Sequence, residues 1–360
     1  MPLSAINMQK IILDCDLMRY PNSGLYHYCL NLGNYVTEAL LKEAKESLSF
    51  YIPENVKNVF AKNEIVEKKW HHKFFKPFLW DCDLWHAPFQ SGRVLASNKK
   101  TKVLLTIHDL NCLHENKTNK ERSHSLAQTQ KLIDNSTALV CISHHCKKDV
   151  LENMDVGNKP VYVIYNGTHE VVTPPLAPLS YKPNKPFVFA MGYVNEKKNF
   201  HVLVPLLQNE NIDLVIAGKL DEPDYVTKMK RLAKTYNAED RLKILGPVSE
   251  QDKAWYLQNC MAFSLPSLAE GFGAPVVEAM AFGKPLFLSN KTSLPEIGGD
   301  VAFYFDDFNP QYVTNVFEKG METFNKNGLA NKIIERGKEF DWKQKAEQYV
   351  AVYRSLLYNR

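Results

Sequence analysis

"AEGFGAPVVEAMAFGKP", residues 269–285, follows the apolar run "MAFSLP" (261–266) and leads into "PLFLSN" (285–290). Short apolar runs bounded by turn residues read as buried strands. Pro275 suits the first position of a helix, where its missing N–H costs nothing. Gly283 suits the residue just past a helix end, and Pro285 prevents continuation. The spacing predicts a helix over 275–282, reached from a strand through a glycine loop. Open α/β sheets bind ligands in such loops, at the carboxyl ends of their strands. The backbone N–H groups of Gly271, Phe272 and Gly273, with the helix dipole behind them, would attract a phosphate or a ring of hydroxyls. Glu270 and Glu278 add two carboxylates that would accept hydrogen bonds from a polyol. An acid that merely favours a helix start gives the same letters, so the motif alone leaves both readings open.

Outward from this stretch the same alternation recurs. Toward the N-terminus, strand-like runs are "KIILDCDL" (10–17), "DLWHAPF" (83–89), "KVLLTIHDL" (102–110), "TALVCIS" (137–143) and "PVYVIYNG" (160–167). Helical patterns fall within 21–44 and over 119–134 and 144–153. "TPPLAPLSYKPNKP" (173–186) then interrupts, five prolines in fourteen residues, an extended and stiff segment of linker type. After it, strands are expected at 187–192, 212–218, 242–246, 261–266, 285–290 and 301–306, with helices near 198–208, 223–236, 250–259 and 275–282. From about 310 to 358 only helices are expected. Strands alternating with helices imply parallel sheets covered on both faces. The expected organisation is an α/β domain over 1–172, a linker over 173–186, a second α/β domain over 187–340, and a final helix over 341–360.

The chain has 360 residues, 45% of them hydrophobic, enough for two sizeable cores. No apolar run reaches the roughly 18 residues of a membrane helix, and the first residues lack the pattern of a signal peptide. Seven scattered cysteines without a CxxC pair fit reduced thiols in the cytoplasm. A net charge of +4 without a like-charged tail argues against nucleic acid as a partner.

The string E-G-F-G-A-P-V-V-E-A-M, with seven residues between its acids, resembles the signature of the retaining glycosyltransferase family 4 enzymes, or glycosyl transferases group 1. Further segments resemble the family in order: "NSGLYHYCLNL" (22–32), "LTIHDL" (105–110), "CISHHCKKDVLE" (141–152), "VIYNG" (163–167), "GYVNEKKN" (192–199), "LGPVSEQDKAWYLQNCMAFSLPSLAEGFG" (245–273) and "EFDWKQKAEQYVAVYRSLL" (339–357). The resemblance implies the GT-B fold: two Rossmann-like, doubly wound domains facing a cleft, with the C-terminal helix crossing back to the first. It implies retaining, metal-independent transfer of a hexose from a GDP- or UDP-sugar to a glycan or lipid-linked saccharide, in surface polysaccharide or lipopolysaccharide assembly, with no other cofactor.

It also implies roles for residues. A departing diphosphate needs cations or aimed N–H donors. Lys198 matches the family lysine on the diphosphate, and Lys197 falls where many members have arginine, though an ammonium lacks the guanidinium fork. Gly24 would let backbone approach the phosphates. His108 matches a histidine beside the transferred sugar. Glu270 would bind sugar hydroxyls, Glu278 the ribose, and the backbone around Val248 the base. Each has a plainer reading: a solvated helix start for the lysines, a turn glycine for Gly24, a structural histidine for His108. Ser249 and Asp252 also form a capping-box pattern.

Other signals carry less. "DCD" at 14–16 and 81–83 is taken as chance and not as a metal-holding pair. "CISHHC" (141–146) lacks a second ligand pair for zinc, and Ser143 reads better as a helix N-cap. "KKWHHKFFKPFLW" (68–80) combines four lysines with five large aromatics, which suits peripheral contact with the inner face of the cytoplasmic membrane or an acceptor-side loop. The competing functions are a nucleotide-sugar epimerase of the same fold and a non-catalytic sugar-binding protein.

Overall fold

The computed structural model describes residues 8–20, 23–43, 45–54, 56, 59–60, 63–74, 81–90, 100–115, 117–168 and 172–358. The chain forms two compact units, one of residues 1–167 with 341–360, the other of residues 168–340. The end of the chain thus returns to the first unit.

The first unit is built on seven parallel strands: β1 (Gln9–Asp14), β2 (Glu46–Ile52), β3 (Glu64–Glu67), β4 (Leu84–Ala87), β5 (Lys102–Ile107), β6 (Ala138–Cys141) and β7 (Val161–Val163), in the order β3-β2-β1-β4-β5-β6-β7. Its helices are α1 (Gly24–Leu41), α2 (Asn119–Asp134) and α3 (His144–Asn153), together with the last helix of the chain, Trp342–Tyr358. Alternate residues of each strand serve opposite faces, as a two-sided sheet demands. Ile11 and Leu13 pack with α1 and the last helix, whereas Ile12, Trp85 and Leu105 pack with Ile133 of α2 and Val150 of α3. Thr118 and Glu121 close a capping box on α2, and the Ser143 hydroxyl accepts from Cys146 N–H at 3.0 Å to start α3. β2 and β3 were not anticipated from sequence. "ESLSFYI" is buried on both faces and lacks the alternation that marks a strand with one wet side.

The last helix is docked by polar as well as apolar contacts. Trp342, Tyr349 and Tyr353 are buried. The Tyr353 hydroxyl meets His86 Nδ1 at 2.7 Å, His86 Nε2 meets Thr106 Oγ1 at 2.8 Å, and the hydroxyls of Tyr28 and Tyr349 are 2.7 Å apart. At its far end Arg354 grips buried Glu46 through Nε and Nη2, at 3.0 and 3.1 Å.

The second unit repeats the plan with six parallel strands: β8 (Phe187–Met191), β9 (Asp213–Ala217), β10 (Leu242–Ile244), β11 (Ala262–Leu265), β12 (Leu286–Ser289) and β13 (Phe303–Phe305), ordered β10-β9-β8-β11-β12-β13. Its helices are α4 (Pro223–Thr235), α5 (Glu250–Asn259), α6 (Ala274–Met280), α7 (Leu294–Gly298), α8 (Pro310–Asn327) and α9 (Ala330–Lys338). The last helix of the chain is then α10 (Trp342–Tyr358). The α-helix expected over 198–208 is instead a 3-10 turn at Glu196–Lys198 followed by a 3-10 helix at Phe200–Gln208. Asn199 between them is left-handed at φ 57°, and Pro205 has no N–H to give to an α-helical ladder. Residues 172–186 form no helix or strand. Asp252 ties them down, accepting from Leu179 N–H and Ser180 N–H, both at 2.9 Å, and from Ser180 Oγ at 2.6 Å. The capping box expected from Ser249 and Asp252 is therefore half formed. Ser249 Oγ accepts from Asp252 N–H at 3.0 Å, but the Asp252 carboxylate turns to the proline-rich segment.

Candidate active site

In the second unit, β8 lies between β9 and β11, so the strand order reverses at β8 and β11. Chains leaving the carboxyl ends of two such strands diverge to opposite faces and leave a crevice there. The two loops singled out from sequence leave these two strands. After β8 the chain turns at Gly192 (φ +146°), over Gly218 (φ +142°), where an added Cβ would sit 1.9 Å from the Gly192 carbonyl oxygen. Gly192 in turn lies against the Lys198 stem, since a Cβ on it would fall 3.0 Å from Lys198 Cε. Asn195 Oδ1 accepts from Lys198 N–H at 3.2 Å and holds the tight turn. The Lys197 carbonyl accepts from Leu268 N–H at 2.8 Å, which joins this loop to the one after β11.

The joined loops bring Lys198 and Glu270 together. Lys198 Nζ lies 2.5 Å from Glu270 Oε1, with only 13% and 12% of the two side chains exposed. Two charges this far from water need each other or a charged ligand. Glu270 is fixed by its backbone: its N–H donates to Thr292 Oγ1 at 2.9 Å, and Ser293 Oγ donates to the carbonyls of Glu270 (3.0 Å) and Phe272 (3.1 Å). Thr292 and Ser293 were missed from sequence, although "NKTSL" (290–294) follows a strand and precedes a helical proline. Thr292 sits at φ 49°, rare for a β-branched residue. Gly273 caps α6 at φ +99°, and a Cβ on it would lie 2.7 Å from Leu294 Cδ2. Its backbone conformation and its crowding both require glycine. Gly271, Phe272 and Gly273 are all buried, and the Phe272 ring packs edge-on against Phe340, with centroids 5.6 Å apart.

Glu278, on α6, does not share the Lys198 partner. Its Oε1 accepts from Lys253 Nζ of α5 at 3.1 Å, and Lys253 also meets Glu250 at 2.7 Å. Burial alone would lower the Lys253 pKa, but the Glu278 and Glu250 carboxylates outweigh it and hold it above the usual lysine range. Glu278 Oε2 is buried without a hydrogen-bond partner among the described residues. Val248 is half-buried in the turn just before Ser249 and α5.

The first unit carries the remaining candidates. His108 follows β5 and is buried between Tyr28 and Phe89, its ring edge-on to both at 4.6 and 5.2 Å. Its Nε2 is 2.8 Å from the Pro88 carbonyl, which only accepts, so Nε2 carries the hydrogen and Nδ1 is the acceptor side of a neutral ring. Burial pushes its pKa down to about 4, with the Pro88 bond pulling the other way. Gly24 is the first residue of α1, capped by Ser23, with open space where a Cβ would stand. The "DCD" aspartates have local partners: Asp14 Oδ1 accepts from Asp16 N–H at 3.0 Å, Asp16 pairs with Arg19 and Lys68, and Asp83 accepts from Lys10 N–H at 2.8 Å. All seven cysteines are buried free thiols. Of the basic–aromatic stretch 68–80, residues 75–80 lie outside the described residues. Trp70 and Phe74 are 82% and 85% exposed.

Two family models match in succession: "Glycosyltransferase Family 4" over residues 56–170 and "Glycosyl transferases group 1" over residues 177–340. The chain belongs to the group 1 glycosyltransferases. Among curated relatives, the serotype-specific mannosyltransferase WbdA of Escherichia coli is 26% identical over 300 residues, 76% of this chain and 36% of that protein. The Escherichia coli O-antigen chain mannosyltransferase B is 25% identical over 177 residues, 47% of this chain and 46% of the relative. The chain spans about a third of the length of the WbdA proteins it matches. Among solved structures, a sucrose-phosphate synthase of Thermosynechococcus elongatus superposes with TM-score 0.73 at 17% identity, covering 97% of this chain and 99% of that one. Anabaena HepE, in complex with UDP and glucose, gives TM-score 0.73 at 17% identity over 96% of this chain and 100% of its own. This group 1 glycosyltransferase has the GT-B fold. No helix among its described residues is long and apolar enough to cross a membrane.

Proposed function

We propose that the protein transfers a hexose, with retention and without a metal ion, from a nucleotide-diphosphate sugar to a saccharide or lipid-linked acceptor in surface polysaccharide assembly. The observation that carries this reading is the desolvated Lys198–Glu270 pair at the β8/β11 edge. An ammonium there would neutralise the departing diphosphate, together with the N–H groups at the start of α6 and the second cation, Lys197. Glu270, released from Lys198 as the diphosphate takes its place, would accept from sugar hydroxyls. Glu278 has a buried oxygen with spare acceptor capacity, which suits a ribose hydroxyl, and Lys253 would hold that carboxylate in place. The backbone at Val248 would meet the base. His108 and Gly24 take their roles from family resemblance: the neutral imidazole beside the sugar, the glycine against the phosphates.

The relatives' names favour mannose, and HepE's complex favours testing a UDP-sugar beside it. The test is incubation with GDP-mannose and UDP-glucose, with and without mannose-terminated acceptors, in EDTA. Acceptor-dependent release of nucleoside diphosphate and a product anomer matching the donor are expected. A new free nucleotide sugar without acceptor would mean epimerisation, binding without turnover a binding protein, and an inverted anomer would remove retention. Peripheral contact of 68–80 with anionic lipid at the cytoplasmic face belongs to the same reading, supported by the exposed Trp70 and Phe74. Flotation with phosphatidylglycerol vesicles checks it: Trp70→Ser with Phe74→Ser is expected to leave the protein in the soluble fraction, and unchanged flotation would discard it.

A further inference from the structure

We propose that His114, His145 and Asp149 form a binding site for one divalent transition ion of the zinc class in the first unit. From sequence, "CISHHC" offered no second group of ligands. The fold supplies one from elsewhere, because His114 follows β5 whereas His145 and Asp149 lie on α3 after β6, the neighbouring strand. The three donor atoms lie within 4.8 Å of one another. His114 Nε2 is 2.6 Å, and His145 Nε2 3.4 Å, from the same oxygen, Asp149 Oδ2. His145 and Asp149 are four residues apart on one helix, a spacing that stacks side chains on one face.

Two imidazoles and one carboxylate are a donor set that zinc accepts, at about 2.0–2.2 Å from each atom. Tetrahedral ligation would set the donors roughly 3.3 Å apart, from those bond lengths. The His114–Asp149 contact must therefore open by under an ångström while the other spacings close. His114, on the exposed side of the cluster, would make that adjustment, and the buried Asp149 would anchor the site. The graded burial, from exposed His114 to buried Asp149, leaves a fourth position facing solvent. The ion would take the place of the contact now made between His114 Nε2 and Asp149 Oδ2. It would also clamp the segment after β5 onto the first turns of α3.

A plain histidine–aspartate hydrogen bond is the alternative, and metal titration separates the two. The full chain, stripped with EDTA, is titrated with zinc by calorimetry and with cobalt by visible absorption. Wild type is expected to bind one equivalent of each, with cobalt giving tetrahedral d–d bands. His114→Ala and His145→Ala are each expected to weaken binding at least about tenfold and to abolish those bands. His124→Ala, an exposed histidine on α2, is expected to change neither. Circular dichroism of the variants establishes that they are folded. Absence of stoichiometric binding by wild type, or wild-type affinity in either folded ligand variant, would overturn the site.

Discussion

Lys198 and Glu270 each give up most of their hydration to face one another, and that makes both expensive to remove. Lys198→Ala and Glu270→Ala are each expected to lower kcat/KM at least about tenfold, a loss of about 1.4 kcal/mol in transition-state stabilisation. Near-normal steady-state kinetics in both would discard the assignment. Lys198→Ala also strands a buried carboxylate and is expected to cost up to about 3 kcal/mol in urea unfolding. Buried titratable groups elsewhere act on stability through pH. Burial raises Asp14 from 3.8 to about 7, against the pull of Lys68 and Arg19. Its contribution is therefore full below the unfolded value and is lost as pH rises through about 7. Burial lowers His86 and His108 from 6.5 to about 3 and about 4. Their contribution has the opposite sign, full above pH 6.5 and lost as pH falls toward the folded values. Asp14→Asn removes only the first. The variant is thus expected to gain on wild type between about pH 4 and 7, by up to about 4 kcal/mol. Urea midpoints across that range check it, and a pH-independent difference would contradict it. At this scale the loop of the candidate site was legible, because glycines and prolines announce their backbone needs. The pairing of Lys198 with Glu270 was not, since 72 residues separate them and only strand order joins them.

At the scale of elements, local signals held where they were local. Both α2 and α3 occupy the ranges expected from sequence, and Ser143 caps α3 as its letters implied. They failed where tertiary contact decided. β2 gave no alternation because both its faces are buried, and Asp252, read as a cap, serves a segment 72 residues away. Asp252→Ala would leave the Leu179 and Ser180 N–H groups without their acceptor and is expected to destabilise the second unit by about 1–3 kcal/mol. Asp252→Asn, able to accept but not in the same number, should fall between. Equal midpoints for Asp252→Ala and wild type would show that solvent replaces those bonds. Glu278 teaches the same lesson: its place on α6 was legible, its partner Lys253 on α5 was not.

At the scale of the molecule, the alternation of strands and helices carried the architecture, because a parallel sheet is specified by its crossovers. The destination of the last helix was legible only through resemblance, since nothing in "EFDWKQKAEQYVAVYRSLL" names the surface it covers. A chain ending at Phe340 loses Trp342, Tyr349, Tyr353 and the Arg354–Glu46 bridge from the first unit. It is expected to lose cooperative unfolding of that unit while the second survives, so that limited proteolysis spares a fragment near 168–340. Resistance of both units would contradict this. The interleaving also orders events at the ribosome. Residues 168–340 can condense as soon as they emerge, whereas the earlier segment must wait, its greasy flank uncovered, for tyrosines made some 180 residues after it. At roughly 5–20 residues per second that wait is on the order of ten to forty seconds, an interval in which a nascent-chain chaperone has a defined and temporary client.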